Sequence, residues 1–159
     1  MFLTSAMQKI AALLIVGIII LDQASKYAAL HYCTLLEPIY VAPFWNWFLV
    51  YNPGAAFGFL AEHAGWQRYF LSALAIIVSI WLWLQIKKEQ NKKIAIAFAF
   101  IIAGALGNVI DRLRFGAVID FIQWHYAGYY WPAFNVADSA ITVGAALLLI
   151  FSFYKPNKK

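Results

Sequence analysis

Residues 69–110 read YFLSALAIIVSIWLWLQIKKEQNKKIAIAFAFIIAGALGNVI, which is two apolar runs on either side of the polar segment KKEQNKK at 87–93. An apolar run of about 20 residues is long enough for a helix to cross the hydrocarbon core of a bilayer. We therefore predict two transmembrane helices, over about 69–86 and 94–110, joined by a tight polar hairpin. The lysines of that hairpin must then lie on one side of the membrane.

Two further apolar runs, at about 10–30 and 139–154, flank this central pair. The chain has 159 residues, of which 64% are hydrophobic and only 12% are charged, against roughly 25% charged residues in an average soluble domain. The sequence thus predicts an all-α polytopic membrane protein, with four transmembrane helices in one integral membrane domain over 1–159. We expect the first run to be retained as a span, because no small-residue cleavage site follows it.

The lysines predict the orientation of these spans. An even number of spans puts both termini on the side of the 87–93 hairpin, and the positive-inside rule makes that side cytoplasmic. Residues 31–66 and 111–138 then face outward, and the first of these loops contains no Lys or Arg. The net charge of +5 comes mainly from lysines at the ends of apolar runs rather than from a basic stripe, so nucleic acid is not an expected partner. The lysines assigned to the cytoplasmic side are Lys9, Lys87, Lys88, Lys92, Lys93, Lys155, Lys158 and Lys159.

The first outward loop is expected to form strands rather than another span. Residues 39–60 are rich in aromatic and β-forming residues but are interrupted by Pro43 and Pro53. Short strands on the membrane surface fit this pattern. Tryptophans of both loops are interpreted as interfacial anchors in preference to substrate contacts, and these are Trp45, Trp47, Trp124 and Trp131.

Asp120 and Asp138 are the principal candidate catalytic residues, because each lies in an apolar stretch, VIDF or FNVADSA, at the edge of a predicted span. A carboxylate near lipid is costly and is usually functional. Two carboxyls that the fold brings together can share one proton and activate water. The alternative for Asp138 is that it only caps the N-terminus of the last helix.

Asp22 and Lys26 lie four residues apart on one face of the first helix, as expected for an ion pair. This pair has a structural or a functional role, and the pattern does not decide between them. In NPGAAFG, Pro53 and Gly54 predict a turn. Asn52 before them is assigned equally to capping that turn or to a polar site.

Asn108 and Arg112 belong to GNVIDR, at the predicted outer end of the third helix. Arginine can bind a carboxylate or phosphate through two hydrogen bonds, and it can also simply anchor a helix end. The three histidines show no HExxH spacing and Cys33 is the only cysteine, so a zinc protease and a Cys-based metal site are not favoured.

Together these motifs resemble the lipoprotein signal peptidase family, also called signal peptidase II. No single motif would be specific, but the five in this order are. They are DQASK at 22–26, NPGAAFG at 52–58, GNVIDR at 107–112, VIDF at 118–121 and FNVADS at 134–139.

The resemblance implies a membrane aspartic endopeptidase of the bacterial inner membrane, with Asp120 and Asp138 as its catalytic pair and with no metal or organic cofactor. It implies cleavage of a diacylglyceryl-modified prolipoprotein just before the lipidated cysteine. It also implies a small β-sheet cradle and a short mobile surface helix within 31–66, and we expect a monomer. Residues implied to line or support the site are Asn52, Gly54, Asn108, Arg112, Asn135 and Ala137, with Asp22 and Lys26 near it.

Two other classes of function remain as alternatives. A small transporter or channel subunit could use Asp22, Lys26, Asp111 and Asp138 as a proton or ion path. Such a path needs polar groups through the whole membrane depth, whereas the cytoplasmic halves of the four runs are almost purely apolar. A purely structural subunit would leave the five polar motifs unexplained.

Overall fold

The computed structural model describes residues 5–54 and 65–153, which form four helices and four strands. Three of the helices are long and apolar enough to cross a membrane, and the last is a shorter apolar helix. The elements are α1 (Ser5–Tyr32), β1 (Pro38–Ala42), β2 (Trp45–Asn52), α2 (Trp66–Lys88), α3 (Lys92–Phe115), β3 (Val118–Tyr126), β4 (Tyr129–Tyr130) and α4 (Val136–Phe153).

The helices extend beyond the predicted runs. The main difference is in α3, which continues past residue 110 to Phe115 and ends at Gly116 with a left-handed φ of 78°. Asp111 and Arg112 therefore belong to the helix and not to the loop that was predicted to begin at residue 111. The physical reason is that Asp111 is buried against partners that satisfy its charge, so the helix can continue through a polar sequence.

The central helix is α3, which packs against α1, α2 and α4. Small residues let α3 and α4 approach closely, as they commonly do between membrane helices. A Cβ added at Gly144 would lie 2.8 Å from the carbonyl oxygen of Ala97, and one added at Gly104 would collide with the carbonyl oxygen of Ala137. This close packing brings the polar part of α3 next to the start of α4.

The strands form an antiparallel sheet in the order β1-β2-β3-β4. The predicted strands within 39–60 are thus confirmed as β1 and β2. Val50 pairs with Asp120, and Asn52 pairs with Val118. Because paired residues and residues two apart share a face of the sheet, Asn52 and Asp120 lie on the same face. The short surface helix expected within 31–66 falls partly on residues 55–64, which lie outside the described residues.

Two apolar clusters occupy opposite ends of the helix bundle. At the end near the α2–α3 connection, Met7 and Ala11 of α1 pack with Ile86 and Ala95. At the other end, Ala29 of α1 packs with Leu49, Ile119 and Phe121 of the sheet. We call this second end the sheet end, and every predicted site residue within the described chain lies there or in the sheet itself.

Candidate active site

Asp120 and Asp138 come together at the sheet end, where Asn135 contacts both. Asn135 Nδ2 donates a hydrogen bond to Asp120 Oδ1 at 2.7 Å. Its Oδ1 accepts the backbone N–H of Asp138 at 2.9 Å, and its own backbone N–H donates to Asp138 Oδ2 at 3.2 Å. The reciprocal pair is a capping box in which Asn135 is the N-cap of α4. The interpretation of Asp138 as the N-cap is therefore wrong, because that residue lies three positions further into the helix.

The remaining oxygen of each carboxyl is held by another asparagine. Asn52 Nδ2 donates to Asp120 Oδ2 at 2.9 Å, and Asn108 Nδ2 donates to Asp138 Oδ1 at 2.8 Å. Each carboxyl is thus fixed by two donors, while every carboxylate oxygen has a second lone pair for water or substrate. The arrangement suits a pair of carboxyls that must keep a set orientation.

Asn52 makes hydrogen bonds of two kinds, one within its turn and one to Asp120. Its Oδ1 accepts the backbone N–H of Gly54 at 2.9 Å, which closes the turn. Gly54 has a φ of 98°, in the left-handed region that favours glycine. The same side chain therefore caps the turn with its oxygen and binds Asp120 with its nitrogen. Ala55 and Ala56, which follow in this motif, lie outside the described residues.

The two aspartates differ in their surroundings. Asp120 is 2% exposed, whereas Asp138 is only partly buried and lines a cavity of about 400 Å³. Burial raises the pKa of Asp120 to about 6, the hydrogen bond from Asn52 opposes that rise, and the charge of Asp138 adds to it. Asp120 therefore keeps a proton more readily than an ordinary aspartate. The other residues lining the cavity are Trp124, Trp131, Phe134, Ser139, Thr142 and Val143.

Asp22 and Lys26 form the predicted ion pair, with 2.9 Å between Lys26 Nζ and Asp22 Oδ2. The same ammonium lies 2.6 Å from Asp111 Oδ2 and donates to Asn108 Oδ1 at 3.1 Å. Since Asn108 also binds Asp138, the buried cluster of Asp22, Lys26 and Asp111 is connected to the carboxyl pair through Asn108.

Gln23 and Asp111 are polar residues that the sequence did not place in the candidate site. Gln23 Nε2 lies 3.0 Å from both Asp22 Oδ2 and Asp111 Oδ1. A signal was present for Asp111, because it follows Asn108 by three residues and so shares its helix face. The signal for Gln23 was only that it belongs to DQASK, because its contacts depend on how α1 packs on α3.

Arg112 and Ala137 contribute in different ways. The guanidinium of Arg112 lies near enough to Asp138, Asp111 and Asp120 for their charges to act on it. Its buried Nε has no hydrogen-bond partner among the described residues. Ala137 is fully buried, and its backbone N–H donates to Asp22 Oδ1 at 2.9 Å. Ala137 thus supports the site through its backbone, while Arg112 keeps a donor for a further acceptor.

Within residues 5–54 and 65–153, no three His, Cys, Asp or Glu side chains are grouped so that they could hold a metal ion.

Comparison with known proteins matches most of the chain to a single protein family. The family described as signal peptidase (SPase) II matches residues 14–154. A protein of Alteromonas mediterranea named lipoprotein signal peptidase is 51% identical over 143 residues, which is 88% of this chain and 78% of the relative. One of Polynucleobacter necessarius with the same name is 49% identical over 133 residues, covering 83% of this chain and 82% of the relative.

The fold is also similar to a solved structure described as a bacterial membrane enzyme. The two chains superpose with a TM-score of 0.83 at 34% sequence identity, covering 93% of this chain and 95% of the other.

Proposed function

The chain belongs to the signal peptidase II family, and we propose that, like the relatives named lipoprotein signal peptidase, it removes the signal peptide from bacterial prolipoproteins. In this proposal it is an aspartic endopeptidase that cleaves before a diacylglyceryl-modified cysteine. The observation that carries the proposal is the joint contact of Asn135 with Asp120 and Asp138. Two carboxyls held by one asparagine, one of them on a cavity, are the kind of pair that can activate water.

The proposed chemistry assigns a different role to each aspartate. Asp120, whose pKa is raised to about 6, holds the proton, and Asp138, on the cavity, is the base. Asp138 takes a proton from a water whose oxygen attacks the scissile carbonyl carbon. The proton of Asp120 passes to the carbonyl oxygen, which gives a tetrahedral diol.

Breakdown of the diol restores both groups. One hydroxyl proton returns to Asp120, the proton on Asp138 passes to the leaving nitrogen, and the carbon–nitrogen bond breaks. The products are a signal peptide with a new carboxyl terminus and a lipidated cysteine with a free amine. Binding of an apolar substrate would exclude water and so favour the protonated form of Asp120.

The proposed position in the inner membrane has four spans, with both termini cytoplasmic and the site at the outer leaflet. Three long apolar helices and the shorter apolar α4 support this count. The lysine-rich connection at 87–93 lies at one end of α2 and α3, and the sheet lies at the other. In this orientation, a scissile bond next to a lipid anchor would be near the outer membrane surface, on the same side as the cavity beside Asp138. Because one chain supplies both aspartates, we propose that it acts as a monomer.

Ion transport is less well supported as a function. Asp22, Lys26 and Asp111 contact one another in a single buried cluster instead of following the depth of the membrane. The opposite end of the bundle is filled by apolar side chains such as Met7 and Ile86. Proteoliposomes that show a flux dependent on these charges, with no peptide product, would favour a transporter.

The direct test of the proposed activity is to incubate the purified protein with a diacylglyceryl-modified precursor and with its unlipidated form. Mass spectrometry of the products should show one cut, before the lipidated cysteine, in the modified precursor. Equal cleavage of both forms would contradict recognition of the lipid, and cleavage of neither would contradict the proposed function.

A further inference from the structure

Two buried carboxylates lie directly behind the carboxyl pair, and each holds the backbone next to one of the predicted catalytic aspartates. Asp111 Oδ2 accepts a hydrogen bond at 3.2 Å from the backbone N–H of Ile119, the residue that precedes the aspartate of β3. Asp22 Oδ1 accepts one at 2.9 Å from the backbone N–H of Ala137, which precedes the aspartate of α4. The separation of the two aspartates therefore depends on where these two carboxylates lie.

A single cation joins the two carboxylates. Lys26 Nζ lies 2.6 Å from Asp111 Oδ2 and 2.9 Å from Asp22 Oδ2. Its third contact, at 3.1 Å, is with Oδ1 of Asn108, whose Nδ2 donates to Asp138 Oδ1 at 2.8 Å. An ammonium group has three N–H donors, and these three contacts match that number.

The charge of Lys26 also fixes the orientation of the Asn108 amide. In the observed orientation the amide oxygen faces an ammonium and the amide nitrogen faces the carboxylate of Asp138. The reversed orientation would place two donors together at Lys26 and two acceptors together at Asp138. Loss or displacement of the cation would therefore loosen the hydrogen bond that orients Asp138.

The oxygens of both carboxylates in the cluster contact only hydrogen-bond donors. In addition to the backbone and Lys26 contacts, Gln23 Nε2 lies 3.0 Å from an oxygen of Asp22 and 3.0 Å from an oxygen of Asp111. The three charged residues are no more than 2% exposed. Burying such a group is costly, and apolar side chains often stabilise a fold equally well. A positional role accounts for these buried charges better than stability does.

We propose that Asp22, Lys26 and Asp111 form a clamp that sets the spacing of Asp120 and Asp138, with Lys26 as its positioning residue. The proposal rests on the peptidase function proposed above. The three residues of the clamp are buried, so its disturbance should lower turnover and leave substrate binding nearly unchanged. Displacements of about 1 Å in an active site can lower rates by about a hundredfold.

The first test is Lys26→Arg, which keeps the charge but replaces a compact ammonium with a planar, more delocalised group. The charged groups around Asp120 and Asp138 are Lys26 of α1, whose charge acts on Asp120, and Arg112 of α3, on which both aspartates act. Asp22 and Asp111 are in contact with Lys26. We expect the folded variant to keep its KM within about twofold while kcat falls about 10- to 100-fold. The more diffuse charge should also move the descending limb of the pH–rate profile to higher pH. Lys88→Arg, at the opposite end of the bundle, is the matched control and should change none of these.

A folded Lys26→Arg enzyme with the parental kcat and pH profile would overturn the proposal, since a merely structural role affects only the amount of folded protein. If that variant does not fold, Gln23→Met tests the clamp instead. It removes the second link between the carboxylates of Asp22 and Asp111 without changing any charge. A lower kcat at unchanged KM supports the clamp, and an unchanged kcat overturns it.

The parent enzyme is assayed beside the variants. Its failure to cleave lipidated precursor would refute the proposed function, whereas cleavage by the parent with unaffected variants would refute only the clamp.

Discussion

Asp120 and Asp138 lie in different elements, a strand and a helix, and both are hydrogen-bonded to Asn135. The residue that caps α4 is thus also the residue that holds the aspartate of β3. The start of the last helix and the position of the carboxyl pair are therefore determined by the same side chain.

Substitution of Asn135 should separate these two roles. Asn135→Ala removes both, so we expect a loss of about 0.5–2 kcal/mol from the missing cap together with loss of cleavage. Asn135→Ser keeps a capping oxygen but cannot reach Asp120, so stability should be largely retained while cleavage is lost. Thermal unfolding in detergent and initial cleavage rates measure the two effects. Full activity in the serine variant would show that the contact with Asp120 is dispensable.

Gly107→Ala should disturb the site through packing alone. The added Cβ would lie 2.7 Å from Asp22 Oδ2 and 3.2 Å from the Cβ of Ala137. Such overpacking typically costs about 1–3 kcal/mol, and displacement of Asp22 should lower cleavage as well. Gly17→Ala is the control, because nothing lies within 4 Å of its added Cβ and alanine is the better helix former. Equal effects of the two substitutions on thermal unfolding would contradict the close contact at Gly107.

The pH dependence of cleavage should report the protonation of Asp120. If this carboxyl must hold a proton, kcat/KM falls about tenfold per pH unit above its pKa of about 6. Because the folded-state pKa is raised, the protonated form stabilises the folded protein at low pH, and this contribution is lost as pH rises from about 4 to 6. Rates measured across pH 4–9 test the first statement, and a rate that stays flat above pH 6 contradicts it.

Asn52→Ala should shift the pH at which kcat/KM begins to fall. The hydrogen bond from Asn52 lowers the pKa of Asp120, against the larger effect of burial, which raises it. Removing the amide should therefore raise the pKa further and shift the descending limb to higher pH. A shift to lower pH would contradict the proposed proton position on Asp120.

The features of the fold and of the candidate site that depend on local pattern could be predicted from the sequence. Apolar length predicted four helices where the structure has them, and the cost of a carboxylate near lipid singled out Asp120 and Asp138. The spacing of Asp22 and Lys26 predicted their ion pair. These features depend on residues that are close in the chain, so periodicity and composition carry the necessary information.

The contacts between distant segments were beyond such reasoning. The hydrogen bond between Asn52 and Asp120 joins residues 68 positions apart and follows from the register of β2 on β3. The contact of Gln23 with Asp111 follows from the packing of α1 on α3. No pattern along one segment specifies either contact.

The measurement that tests the central claim most directly is the turnover of diacylglyceryl-modified precursor by purified Asp120→Asn and Asp138→Asn variants. Each substitution keeps the size of the side chain and removes its ability to exchange a proton. We expect each to lower kcat by at least about a thousandfold while the protein remains folded, and we expect Glu37→Gln, at an exposed carboxylate, to leave kcat unchanged. A folded Asp120→Asn or Asp138→Asn enzyme that turns over the precursor at the parental rate would contradict the account.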